Sequence, residues 1–234
     1  LALPQDRVRI LPSAVGGGFG SKLDLSLQPL LGLAALKLRR PVRMTYSRAE
    51  SMASTTKRHP AQMTGRIGCD ATGRITALEF DGRFDTGAYA SWGPTVANRV
   101  PVHATGPYRT PNVHATARAI HTHNPVSGAF RGFGVPQAAI WQETLYDRLA
   151  DKAGLDRLDF RLLNALRDGD ASATGQTLTA TGIAPCLQAL RPHWQRALTE
   201  AAGTPHRGVG IASCWYGCGN TSLPNPSTIR IGLT

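Results

Sequence analysis

The chain has 234 residues, 41% of them hydrophobic, with 25 Gly and 16 Pro spread along its length, a composition of a folded, turn-rich protein that excludes a disordered one. Its net charge is +11, but the cations are scattered and few aromatics interleave with them, which argues against a nucleic-acid binder. No apolar run reaches about 18 residues, so no helix spans a bilayer, and the chain opens on Leu1 with no charged-then-apolar leader, as expected of a chain that begins inside a larger protein or has been processed.

In chain order, RVRILPSAV (7–15) reads as a strand entering the turn GGGFG. Residues 23–38 are apolar nearly all round with Pro41 close behind, which predicts a buried helix. PVRMTYS (41–47) reads as a short strand and RAESMASTTKRHP (48–60) as a polar loop. Residues 61–84 hold two alternating runs joined at DATG, the pattern of a hairpin. Residues 85–112 are loop-like, and VHATARAIHTH (113–123) is a strand leading into NPVSGAFRGFGVPQ (124–137). Apolar residues at Ala139, Ile140, Leu145 and Leu149, with Gly154 as terminator, predict a helix. LDRLDFRLLNAL (155–166) predicts a second, with Asp156 as N-cap. RDGDASATGQTL (167–178) is a linker, and residues 183–202 are helical with a break or kink at Pro192. RGVGIASCWYG (207–217) and STIRIGL (227–233) read as strands. Strands and helices without strict alternation give an α+β fold, with the domain boundary in the linker, between 1–178 and 179–234.

Of the four cysteines, Cys69, Cys186, Cys214 and Cys218, only the last two are close, as C-x3-C, with no second pair to complete a zinc site. They read as buried free thiols, and nothing demands disulfides, as in a reducing compartment. The seven histidines show no metal-ligand spacing and read as structural or exposed.

Two stretches carry chemistry. In GGGFGSK (16–22) a Gly-rich turn ahead of an apolar helix exposes backbone N–H groups that accept oxyanions. The phosphate-loop spacing is absent, and Leu23 follows Lys22. A tight packing turn is the competing reading. In AFRGFG (129–134), Gly132 and Gly134 permit unusual backbone conformations, and Phe130 and Phe133 flank Arg131. One such loop reads as an arginine tying down a turn. Two Gly-Phe-Gly loops, each opening onto a helix, suggest backbone donors converging on one anionic, planar cofactor.

These loops, with KRHP (57–60), YRTPN (108–112) and LADKAGLDRLDFRLLNAL (149–166) in the same order, resemble the molybdenum-binding subunit of the xanthine dehydrogenase and aldehyde oxidoreductase family. The resemblance covers nearly the whole chain, and the linker RDGDASATGQ is most similar to the bacterial aldehyde oxidoreductase branch. It implies a molybdenum hydroxylase oxidising an aldehyde or N-heterocycle with water as oxygen source. The cofactor would be molybdopterin as its cytosine dinucleotide, with electrons passing to 2Fe–2S clusters. Iron–sulfur and FAD domains or subunits would be partners, and the full enzyme would be a cytoplasmic dimer, with a periplasmic location left open. Residues 1–178 would belong to the first cofactor-binding domain and 179–234 would begin the second.

The resemblance assigns residues as well. Gly18, Phe19 and Gly20 would hold the cofactor, with the main-chain N–H of Phe19 near the metal's oxo ligand. Arg131 and Gly132 would bind the cofactor as well, with Arg131 lining the metal on another side, and Phe133 would stack on the substrate ring. Leu23 stands where purine-oxidising relatives carry an acidic residue, and Arg99 matches an arginine such relatives keep. Leu23 also reads as the first core residue of its helix, and Arg99 as a loop-anchoring ion pair. The family's general base is a glutamate in a GE-x-P segment that these 234 residues do not contain, so no catalytic residue is assigned and the chain alone is expected to be inactive. A xanthine or purine dehydrogenase, and a non-catalytic basic module binding oxyanions or nucleic acid, remain the alternatives.

Overall fold

In a computed structural model, residues 3–217 and 227–232 are described. The chain folds as two compact units interleaved in sequence. One comprises Leu1–Gln62, Arg83–Ala97 and Arg118–Phe133; the other comprises Met63–Gly82, Asn98–Ala117 and Gly134–Thr234. A three-stranded sheet in the order β1-β2-β3 is built from β1 (Ala61–Cys69), β2 (Ile75–Gly87) and β3 (Asn112–His121). The helices are α1 (Gln28–Leu38), α2 (Arg48–Ser54), α3 (Gly93–His103), α4 (Val135–Ala153), α5 (Arg157–Asn164) and α6 (Ile183–Ala201). This is the α+β class read from the sequence.

The hairpin at DATG forms because Asp70 closes its own turn. Its Oδ1 accepts from the Thr72 amide at 2.8 Å, the Thr72 hydroxyl at 2.6 Å and the Arg74 amide at 3.1 Å, an Asx-type turn. Beyond it β2 buries Leu78, Phe80, Phe84 and Thr86, every second residue or a multiple of two, as one face of a strand must.

In the second unit the core is Ile75, Tyr108, Tyr146, Ala150 and Phe160, joined by Ile67, Leu149 and Leu155. A neighbouring cluster of Leu158, Ala165, Leu187 and Trp194 seats α6 on α5. Arg161 of α5 is fully buried against α4: its Nη2 donates to Glu143 Oε2 at 2.6 Å and to Asp147 Oδ1 at 2.8 Å. Helix α5 starts as the sequence indicates, with Asp156 accepting from the Leu158 and Asp159 amides. Helix α4 stops as indicated at Gly154, which adopts φ 67°.

Several sequence expectations need correction. Residues 7–15 and 41–47 contain no strand. Helix α1 begins at Gln28 rather than 23, because Pro29 fits the first turn of a helix and not its interior. No residue of α1 is buried; Leu31, Ala34 and Ala35 are half-buried, and Leu30, Leu33, Leu36 and Leu38 are exposed. The stretch 48–54 is helix α2, started by a capping box of Ser47 and Glu50. The loop-like stretch 85–112 contains α3, with Pro101 inside it. Helix α6 runs continuously through Pro192. Residues 207–217 and 227–232 contain no strand; Leu233 lies outside the described residues. Cys214, read as a buried thiol, is exposed, and its neighbour in the motif, Cys218, lies outside the described residues; Cys186 is exposed and Cys69 half-buried. Among the described residues no helix is long and apolar enough to cross a membrane.

Candidate functional site: two glycine-phenylalanine loops

The first loop and residues 129–133 of the second lie in the first unit, and the structure brings them together. Gly20, at φ 92°, sits so close to the second loop that an added Cβ would meet the Ala129 carbonyl oxygen at 2.8 Å. Arg131 stands over the Phe19 ring, its guanidinium carbon 5.8 Å from the ring centroid, within reach of a cation–π contact. Thr56 ties the first loop down by donating to the Ser21 carbonyl at 2.8 Å. Lys22 turns back to donate to the Val15 carbonyl.

The backbone of the first loop is unusual. Gly16, Gly17 and Gly20 have positive φ, and so does Phe19 at 52°. Left-handed residues alternating with others, as Gly17, Gly18 and Phe19 do, turn neighbouring N–H groups toward one concavity, a nest for an anion. Among the described residues, the amides of Gly16, Gly17, Gly18, Phe19 and Gly20 donate to no protein acceptor, while Ser21 and Leu23 close back onto the carbonyls of Gly18 and Gly20. An added Cβ at Gly16 or Gly18 meets nothing within 4 Å, so space is open beside those donors.

The second loop is held from behind by the segment 57–59. Lys57 pairs with Ser127 in a parallel bridge, and the Gly128 amide donates to the Lys57 carbonyl at 3.1 Å. Arg58 donates to the Arg131 carbonyl at 2.5 Å and lies 4.8 Å over the Phe130 ring. Burial lowers the Arg58 pKa from its ordinary value, as it does for Lys57. His59 is buried behind them, 3.5 Å from the Thr86 hydroxyl. Burial pushes its pKa down, Asp85 opposes that shift and Arg58 adds to it. The loop then runs into α4 through Gly134, at φ 100°.

Asp24 joins the segments. Its Oδ1 accepts from the Ser91 hydroxyl at 2.6 Å. Its Oδ2 is buried without a hydrogen-bond partner among the described residues, and an added Cβ on Gly128 would meet it at 2.3 Å. A buried acceptor left unpaired costs about 1–3 kcal/mol. Strain gathers nearby as well. Of the six described non-glycine residues with positive φ, Phe19, Ser91 and Phe133 lie in these turns, at a cost of about 1–3 kcal/mol each. Folded structure tolerates such costs most often where a site needs the geometry.

The predicted residues thus fall into two groups. Gly18, Phe19, Gly20, Leu23, Arg131, Gly132 and Phe133 belong to the first unit. Leu23 precedes α1 and is 65% exposed, so it is not the first core residue of a helix. Arg99 lies in the second unit, within α3, and is buried. Its Nη1 donates to the Tyr216 hydroxyl at 2.7 Å, and its guanidinium lies 5.3 Å over the Tyr216 ring, so it ties the irregular stretch 207–217 to α3. His103, whose Nδ1 is 2.9 Å from the Arg99 carbonyl, stacks on the same ring.

Sequence reasoning missed Asp24, Arg58, Ser91 and Trp92. Trp92 stands edge-on to Phe133, with ring centroids 6.0 Å apart and planes at 64°. Only Arg58 lay in a motif; the contacts of the others join residues far apart in the chain.

Nest-like free amides, open space beside them and a guanidinium suit a large oxyanionic group, whereas the orphaned Asp24 oxygen, an acceptor, suits only a hydrogen-bond donor. The amino-acid sequence of residues 1–165 matches the molybdopterin cofactor-binding domain family. The chain belongs to that family. Every residue of the two loops, with Leu23 and Arg99, lies inside the matched region. This member of the molybdopterin cofactor-binding domain family is 46% identical over 192 residues to the nicotinate dehydrogenase large molybdopterin subunit of Eubacterium barkeri, covering 82% of this chain and 45% of that protein. It is 37% identical over 219 residues to a probable xanthine dehydrogenase subunit of Bacillus subtilis, covering 93% of this chain and 29% of that one. Among solved structures it is similar to the aldehyde oxidoreductase from Desulfovibrio gigas, with TM-score 0.76 and 34% identity, over 80% of this chain and 21% of that one. The chain therefore spans less than half the length of these relatives.

Proposed function

We propose that this chain is the part of a molybdenum hydroxylase that holds the metal end of a molybdopterin cofactor and one wall of the substrate slot. The observation that carries the reading is the meeting of the two loops at Gly20 and Ala129, with unengaged amides on one and Arg131 on the other. When bound, the group supplies two-electron oxidation of a substrate C–H bond, with water as oxygen source and electrons leaving to 2Fe–2S clusters.

The chain's own residues act by placement. The amides of Gly18, Phe19 and Gly20 hold the anionic ligands of the group. Donors fixed in advance in a dry site stabilise developing charge by a few kcal/mol each, about 2.7–4 kcal/mol for one oxyanion donor. Arg131 completes the metal side, where its cation offsets negative charge, and Gly132 joins the cofactor-binding residues. Arg58 and Lys57 keep that loop in place. Phe133 supplies a flat face for the substrate ring, and Leu23 removes a polar contact that a purine would use. A buried polar atom of the substrate left facing Leu23 costs about 1–3 kcal/mol.

The substrate class is an aldehyde or an N-heterocycle rather than xanthine. The name of the Eubacterium barkeri relative, a nicotinate dehydrogenase, supports the heterocyclic arm. In the same reading the cofactor is the cytosine dinucleotide form, the partners are iron–sulfur and FAD domains or subunits, and the enzyme is a cytoplasmic dimer. The boundary between the two cofactor-binding domains falls near residue 178. The family match ends at residue 165, and the polar turn that follows closes on itself through the Ala171–Thr177 bridge. Steady-state kinetics on the full-length parent test the reading: kcat/KM for nicotinate and benzaldehyde should exceed that for xanthine. A preference for xanthine overturns the role given to Leu23.

A further inference from the structure

We infer that Trp92 is a specificity-determining residue of this site: its indole walls the slot beside Phe133 and selects flat aromatic substrates over aliphatic ones. The inference rests on the reading above, in which Phe133 meets the substrate. Three observations carry it. The first is geometry. Trp92 stands edge-on to Phe133 at 6.0 Å and 64°, yet remains 42% exposed, so much of a large apolar ring is left uncovered. A ring lying parallel to Phe133 meets the indole at that same steep angle, an arrangement aromatic pairs favour. An aliphatic chain gains no such contact.

The second observation is how the turn is fixed. The Gly93 amide donates to the Ala90 carbonyl at 2.7 Å, and the Val96 amide to the Trp92 carbonyl at 2.9 Å. Gly93 lies so close to β2 that an added Cβ would meet the Thr86 hydroxyl at 2.0 Å. Ser91, at φ 41°, donates to Asp24, the residue after Leu23. The turn bearing Trp92 is thereby tied to the segment bearing Leu23. The third observation is that this turn shares its left-handed backbone with Phe19 and Phe133, so the strain of the two Gly-Phe loops extends to it. Such a conformation persists only where the surroundings hold it, as the Gly93–Ala90 and Ser91–Asp24 bonds do here.

The test uses the full-length parent with its cofactor and partner subunits. The readout is the ratio of kcat/KM for benzaldehyde to that for butanal in wild type, Trp92→Ala, Trp92→Phe and Phe133→Ala. Trp92→Ala should lower the ratio about two- to tenfold, the range of an aromatic pair. Trp92→Phe should restore most of it. Thermal midpoint and molybdenum content should stay unchanged. A second readout needs no turnover: nicotinate should quench part of the tryptophan fluorescence of wild type, and that part should vanish in Trp92→Phe. An unchanged ratio in Trp92→Ala, or an equal fall for both aldehydes with a lower thermal midpoint, overturns the inference. If Phe133→Ala changes the ratio while Trp92→Ala does not, this inference alone fails. If neither variant changes it, the reading of Phe133 fails too.

Discussion

Gly20 packs its Cα against the Ala129 carbonyl with no room for a methyl group, and its φ of 92° suits no other residue. Gly20→Ala should therefore separate the loops as well as strain the backbone, by about 1–2 kcal/mol for the left-handed conformation alone. Phe133 and Arg131 should answer differently. In the full-length parent, Phe133→Ala should weaken use of flat substrates by about 0.5–1.5 kcal/mol and leave bound molybdenum near normal. Arg131→Ala should lower molybdenum or kcat for every substrate alike. Metal analysis and steady-state kinetics on the two variants separate these patterns. His59 gives a pH signature. Burial lowers its pKa in the folded chain, so the unfolded chain takes up a proton first as pH falls below about 6.5. Its contribution to stability is complete above that value and is lost as pH falls toward the folded pKa. Urea midpoints between pH 7.5 and 5 should fall, and His59→Gln should flatten the decline. At this scale the sequence showed the glycines, Arg131 and both phenylalanines, because turn chemistry is local. It did not show Asp24, Ser91 or Trp92, whose roles depend on residues many positions away.

Element by element, legibility followed the same divide. The hairpin at Asp70, the stop of α4 at Gly154 and the cap of α5 at Asp156 rest on neighbours within a few residues, and each was readable. Helix α2 was readable too, since Ser47 and Glu50 spell a capping box, but its polar composition argued for a loop. Ser47→Ala should lower stability by about 1 kcal/mol, measured by thermal unfolding. The apolar pattern of α1 indicated burial, whereas Leu30, Leu33, Leu36 and Leu38 are 41–55% exposed; hydropathy marks a surface that can be covered and not what covers it. The alternation at 207–217 marks a face that packs through Val209 and Ile211 on the cluster of α5 and α6 and, among the described residues, pairs with no strand. Between α4 and α5, Arg161 is the strongest single tie. Arg161→Ala leaves Glu143 buried without its cation and should lower stability by about 3–5 kcal/mol in urea unfolding.

For the whole molecule, the exposed leucines of α1 and the net charge of +11 describe a surface suited to further protein. The 234 residues contain no GE-x-P glutamate, and positioned proton transfer contributes about 10²–10⁴-fold. The chain supplied with molybdenum cofactor should accordingly show no aldehyde or heterocycle oxidation above background, in an assay of product formation. The fold class was legible in the order of elements; the interleaving of two units was not, since it depends on contacts across the sequence. The central claim is that the two loops hold one cofactor jointly, and molybdenum analysis of the full-length parent tests it most directly. Wild type should carry near-stoichiometric metal, and Gly20→Ala and Arg131→Ala, each changing a different loop, should both carry much less while keeping their circular dichroism. Undiminished molybdenum in both folded variants would contradict the account.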